Sequence, residues 1–143
     1  MSDSVLAARR CRWISIAGVS DQRGRLNFIE NGKGLDFQPK RIFWLHGVPS
    51  GRRRGRHGHR EAHVVLVALA GSCRVHLDDG KVEEAVTLGG PGRGLHVGPL
   101  IWHELADFSV NAAILVLASM PYQEAEFVRD HDEFKRLAAA RVA

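Results

Sequence analysis

The chain has 143 residues, 45% of them hydrophobic and 25% charged, and a formal net charge of +4. That balance excludes a disordered polyelectrolyte, the length suits one globular domain over residues 1–143, and no apolar run approaches the roughly 18 residues a membrane span requires. MSDSVLAARRCRW at the start lacks the apolar stretch of a secretory signal, and Cys11 and Cys73 show no CxxC spacing, so a reducing cytoplasm is expected.

In chain order, strand character appears first at RWISIA (12–17), then at RLNFIE (25–30) and RIFWLH (41–46), each rich in branched or aromatic residues. HVVLVALA (63–70), CRVHLD (73–78) and EEAVTL (83–88) follow, the last two joined by LDDGKV, where Asp79-Gly80 suits a tight hairpin turn. A glycine-rich turn over residues 89–94 leads into GLHVG (94–98), and AAILVLAS (112–119) is the last strand expected. From Gln123 to Val142 the period changes. Phe127, Val128, Phe134 and Leu137 recur at helical spacing, after an irregular start, because Asp130, His131 and Asp132 form helix poorly. Short strands between glycine turns, with one helix at the end, predict an all-β antiparallel double-sheet barrel with a short C-terminal helix, not a βαβ fold.

RRRGRHGHREAHV (52–64) packs five arginines and three histidines into the approach to the most apolar strand. If the segment is extended, His57 and His59, two apart, share a face. A barrel can set residues 57–59 beside 102–104, so that His103 of GPLIWHE joins them in one cavity. Imidazole is the side chain poised to exchange protons near neutral pH. A nucleic-acid surface would interleave stacking aromatics, and residues 50–64 contain none. Guanidinium forks match phosphate oxygens, so arginines beside a histidine pair point to a diphosphate-bearing small molecule next to a proton-transfer site.

The same segment resembles the first cupin motif. Gly51, His57, His59 and Gly71 fit it, but the position of its metal-binding carboxylate holds His63 or Val64. GPLIWH (98–103) is loosely similar to the second cupin motif. A three-imidazole-plus-glutamate metal site is therefore excluded. An all-histidine site of His57, His59, His63 and His103 stays open, although the neighbouring guanidinium groups oppose a divalent cation. No metal and no cofactor are expected.

Taken together, DQRGRLNFIE (21–30), KRIFWLHGVP (40–49), RGRHGH (54–59), LDDGK (77–81), GLHVGPLIWHE (94–104), VLAS (116–119) and YQEAEFVRDHDEF (122–134) are similar to the sugar 3,4-ketoisomerase family, which includes the WxcM-like C-terminal domains. The resemblance implies a cupin-type double-stranded β-helix, or jelly-roll barrel, acting as a homodimer. It also implies cofactor-free isomerisation of dTDP-4-keto-6-deoxyglucose to a dTDP-3-keto-6-deoxyhexose, with no nucleic-acid or membrane partner. By resemblance the HxH pair is His57 and His59, the RG arginine is Arg54, and DxRG falls on Asp21, Arg23 and Gly24, near the sugar. Where the family commonly carries tyrosine in two strands, this chain has His46 and His96. The expected machinery is His59 as base and His57 as relay, with Arg54, Arg23, Arg41, His46, His96, Trp102 and His103 around the substrate. Arg41 reads first as a solvated strand edge and second as a phosphate contact, and Trp102 also reads as core filler. A metal-dependent cupin and a non-catalytic sugar-nucleotide binding module are the rival readings.

Overall fold

The computed structural model describes residue 6 and residues 8–31 and 33–142. Its strands are β1 (Cys11–Ser15), β2 (Gly18–Asp21), β3 (Gly24–Asn27), β4 (Arg41–His46), β5 (Arg54–His59), β6 (Val64–Ala70), β7 (Ser72–Asp78) and β8 (Glu83–Gly89). They continue with β9 (Arg93–Val97), β10 (Trp102–Ala106), β11 (Ala113–Ala118) and β12 (Phe127–Val128), and a single helix, α1 (His131–Val142), follows. One sheet has the order β1-β9-β6-β11-β4 and the other β12-β5-β10-β7-β8, while β2 and β3 form a separate ribbon.

Strand alternation builds the core. Val64, Leu66 and Ala68 of β6, Leu95 and Val97 of β9, and Ile114 and Val116 of β11 point inward. They meet Cys73, Val75 and Leu77 of β7 and Leu105 of β10 in one buried cluster. The intervening residues Val65, Val67 and Leu117 face outward under Ile29, Leu35 and Phe37 of the β3–β4 connection. The first sheet is thus apolar on both faces, which is why β6 reads as an unbroken hydrophobic run. The second sheet carries α1, through Trp102, Val128, Phe134 and Ala138. The all-β double-sheet barrel with a C-terminal helix is the fold observed.

Three local differences have physical causes. β2 has no apolar alternation in its sequence because the β2–β3 ribbon is exposed along its whole length. Phe127 and Val128 are not helical; they pair with His59 and Gly58 as an edge strand. The helix starts only at His131, because Asp130 caps it, its Oδ1 accepting the N–H of Asp132 at 3.2 Å. Aspartate disfavours helix interiors and favours this N-terminal position for the same reason, competition for backbone N–H groups. Cys11 and Cys73 are buried free thiols. No helix among the described residues is long and apolar enough to cross a membrane.

Candidate active site

The stretch RGRHGH forms β5, and a bulge sets its chemistry. Arg54 lies opposite Leu105, Gly55 opposite Glu104 and His57 opposite His103, so Arg56 is an extra residue in the strand. Gly55 and Arg56 both adopt positive φ, 85° and 61°. Simple alternation would put Arg54 and His57, three apart, on opposite faces; the bulge brings Arg54, His57 and His59 to one face. Close packing demands the two glycines. A Cβ on Gly55 would lie 3.1 Å from the His103 carbonyl oxygen, and one on Gly58 would lie 3.1 Å from that of Ile101.

This face lines a cavity of about 340 Å³ at the open end of the barrel, floored by Phe43, Leu45, Leu66 and Val116. His57 stands edge-on to both His59 and His103, with ring centroids 4.9 and 4.7 Å apart. Phe127 closes on both members of the HxH pair, at 4.9 Å from His57 and 4.8 Å from His59. Burial, reinforced by neighbouring His103, pushes the pKa of His57 down to about 2 and that of His59 down to about 3. Burial also lowers that of His103. Its Nδ1–H donates to the Ile101 carbonyl at 3.2 Å, which leaves Nε2 as the acceptor nitrogen. The Nδ1 atoms of His57 and His59 are buried and have no hydrogen-bond partner among the described residues. The site therefore holds neutral imidazoles with two unsatisfied nitrogens.

Cations crowd the rim. Arg41 is clamped between rings, 4.2 Å from the Phe43 centroid and 5.1 Å from that of Tyr122. Arg129 lies over Phe127 at 4.6 Å and pairs with Glu124 at 2.7 Å. The basic loop divides its arginines. Arg53 and Arg56 face Glu104 at 3.1 and 3.8 Å, and Arg60 faces Glu133 at 3.5 Å. Arg54 and Arg41 line the cavity with no carboxylate partner among the described residues. The C-terminal segment is fixed across this wall by buried Glu126, whose Oε1 accepts the N–H groups of Glu61 and, at 2.8 Å, Ala62.

The structure thus gathers His57, His59, His103, Arg54 and Arg41. The other four expected contacts lie elsewhere, and strand parity explains three of them. His46 shares the outer face of β4 with exposed Ile42 and Trp44. His96 lies between inward Leu95 and Val97, so it points outward, where its Nε2 meets His63 Nδ1 at 3.0 Å. Trp102 is on the opposite face of β10 from His103 and packs against Phe134 of α1. Arg23 sits at the tip of the β2–β3 ribbon, 86% exposed, paired with Asp21 at 2.6 Å. Conversely Tyr122, Phe127 and Arg129 line the cavity although the sequence pattern did not single them out. Tyr122, the single tyrosine of the chain, was the available signal, while Phe127 and Arg129 were masked by the helical spacing assigned from Gln123 onward.

Three imidazoles converge here. The ligand atoms of His57, His59 and His103 lie within 4.8 Å of one another. A four-coordinate ion with bonds of about 2.0–2.1 Å holds its nitrogens roughly 3.3–3.5 Å apart, so the rings would have to close in. The set contains no carboxylate, and Arg41 and Arg129 add positive charge that His59 already feels. The donor set fits a proton relay better than a cation.

The FdtA, WxcM-like C-terminal family profile matches residues 9–139. The chain belongs to that family. Among FdtA/WxcM-like relatives, the TDP-4-oxo-6-deoxy-α-D-glucose 3,4-oxoisomerase of Aneurinibacillus thermoaerophilus is 42% identical over 126 residues, which is 88% of this chain and 91% of the relative. A mutant of the 3,4-ketoisomerase QdtA from Thermoanaerobacterium thermosaccharolyticum, solved in complex with TDP-4-keto-6-deoxyglucose, superposes with a TM-score of 0.91 at 32% identity, covering 93% of this chain and 96% of that one. The RmlC epimerase of Mycobacterium tuberculosis shares the fold alone, at 17% identity and a TM-score of 0.73 over 89% of this chain and 72% of that one. The FdtA/WxcM-like barrel is therefore cupin-like.

Proposed function

We propose that the chain is a sugar-nucleotide 3,4-ketoisomerase that converts TDP-4-keto-6-deoxyglucose to a TDP-3-keto-6-deoxyhexose. One observation carries the reading: two neighbouring neutral imidazoles, half-buried His57 and buried His59, whose Nδ1 atoms lack partners among the described residues, line a cavity together with Arg41 and Arg54, which have no carboxylate partner there. The isomerisation moves a proton from C3 to C4 and another from the C3 oxygen to the C4 oxygen, through an enediol(ate). Two proton carriers are needed, and nothing is oxidised or reduced overall. His59 takes the C3 proton. His57, edge-on to both His59 and His103, relays protons between the oxygens. A ring of such low pKa is a weak base in the empty cavity. The enediolate forming beside it supplies the counter-charge that stabilises the imidazolium, so base strength rises as the reaction proceeds. Arg54 and Arg41 hold the diphosphate. The protein works in the cytoplasm, and as a homodimer.

His59→Asn is expected to abolish exchange of the C3 proton with deuterated water while TDP binding stays within a few-fold. Exchange at the wild-type rate would remove His59 as base. Incubation with TDP-4-keto-6-deoxyglucose, followed by NMR, tests the reaction itself: binding without turnover would mark a binding module. The spacing of the three imidazoles favours a second reading, a metal-dependent cupin. About one metal per purified chain, with activity lost to a chelator, is the result that would select it.

A further inference from the structure

The C-terminal wall of the cavity holds a charge arrangement that substrate binding must disturb. Arg129 grips Glu124 through two parallel bonds, Nε to Oε2 at 2.7 Å and Nη2 to Oε1 at 3.0 Å. This is the fork with which arginine also takes a pair of phosphate oxygens. Tyr122 donates its hydroxyl to the same Oε1 at 2.5 Å, and its ring lies beside the Arg41 guanidinium. Beneath Arg129, Phe127 touches both proposed proton carriers. A sugar at the histidines therefore has its diphosphate directed to the rim where Arg41, Arg54 and Arg129 stand. Among the described residues Glu124 is the one acidic group on Arg129, and its charge opposes any dianion arriving there.

We infer that Glu124 is an internal counterion that the substrate's diphosphate displaces from Arg129, which makes Arg129 a diphosphate ligand and Glu124 a positioning residue that selects for doubly charged nucleotides. The inference rests on the ketoisomerase reading for the direction in which the substrate lies. Exchange is easy because the pair is half-exposed, 50% for Arg129 and 62% for Glu124, and exposed ion pairs contribute little net stability. The released carboxylate moves into water, and the Tyr122 hydroxyl loses its acceptor.

Calorimetric titration with TDP separates this exchange from a purely structural role by its sign. Glu124→Gln should bind TDP about two- to fivefold more tightly than wild type, because no carboxylate has to leave. Arg129→Gln should bind it at least about tenfold more weakly, having lost a bidentate charged contact. Equal or weaker binding by Glu124→Gln overturns the inference, since a carboxylate that merely orients Arg129 would be missed on removal. A second readout uses the single tyrosine of the chain. In ring-labelled protein, TDP should move the Tyr122 signal of wild type toward its position in ligand-free Glu124→Ala, where residue 124 offers the hydroxyl no acceptor; a signal that stays in place counts equally against the exchange. TDP binding with these effects but without turnover leaves the counterion standing and removes the ketoisomerase. Turnover with unchanged TDP affinity in Glu124→Gln does the reverse.

Discussion

An imidazole whose pKa is about 3 in the folded chain, as at His59, but near 6.5 once unfolded leaves stability untouched above pH 6.5 and destabilises the fold below it. The unfolded chain then binds the extra proton, so stability falls with pH by up to about 1.4 kcal/mol per unit for each such ring. His57 behaves in the same way toward about 2, and His96, held down by burial and by neighbouring His63, toward about 4. The prediction is an early acid transition, under way between pH 6 and 4. His59→Gln should reduce the stability difference between pH 8 and pH 5 by about 2 kcal/mol, read from urea unfolding at the two values. An identical difference in the variant would mean that the His59 ring is not kept neutral by the fold. The same depressed pKa values keep the base unprotonated in the free enzyme, so kcat/KM should show no histidine titration between pH 8 and 5.

At the scale of elements, the β5 bulge is the device on which the site depends, and a single methyl group tests it. Gly55→Ala must hold alanine at φ 85° with its Cβ 3.1 Å from a backbone oxygen that cannot move aside. A destabilisation of about 2 kcal/mol is expected, a drop in Tm of roughly 5–10 °C, with a larger loss of kcat because Arg54 and His57 no longer share a face. Calorimetry and initial rates on the same preparation check both halves. How much of this was legible in the sequence follows from what each element buries. β6, β7 and β11 carry inward apolar residues and announce themselves. The RGRHGH pattern exposes the histidine pair, and its glycines are required by the close approach of His103 and Ile101. The ribbon strand β2 buries nothing and leaves no pattern, and β12 is two residues long, too short for any period. His46 and His96 were drawn to the site because their strands are those in which the resembled family carries tyrosine, and Trp102 because it adjoins His103, although the parity of Phe43 and Leu45, of Leu95 and Val97, and of His103 and Leu105 points them away from the cavity. The bulge itself is hidden, because two left-handed residues in a strand look like ordinary sequence when one of them is arginine.

For the whole molecule, Arg23 poses the remaining problem. Resemblance puts it at the sugar, yet within one chain it rides an exposed ribbon outside the cavity. A two-stranded ribbon is marginally stable alone in water, and this one displays the cross-strand pair Val19 and Leu26 at 65% and 58% exposure. The barrel displays a second bare apolar surface on edge strand β4, where Ile42 and Trp44 are 55% and 61% exposed. Each copy thus has one apolar arm and one apolar edge, and a two-fold dimer can cover both reciprocally. If the proposed homodimer forms through this edge, Trp44→Glu should lower the dimer fraction in sedimentation velocity while the monomer keeps its β-sheet circular dichroism; an unchanged dimer would exclude this edge. If the arm also brings Arg23 to the neighbouring cavity, then Arg23→Ala and His59→Asn, each inactive alone, should regain activity when their subunits are exchanged. Random re-pairing makes half the molecules mixed, each with one intact site, so about a quarter of wild-type activity should return. If Arg23 instead folded back onto the cavity of its own chain, the mixture would stay as inactive as its parts, because no pairing would then unite an intact Arg23 with an intact His59.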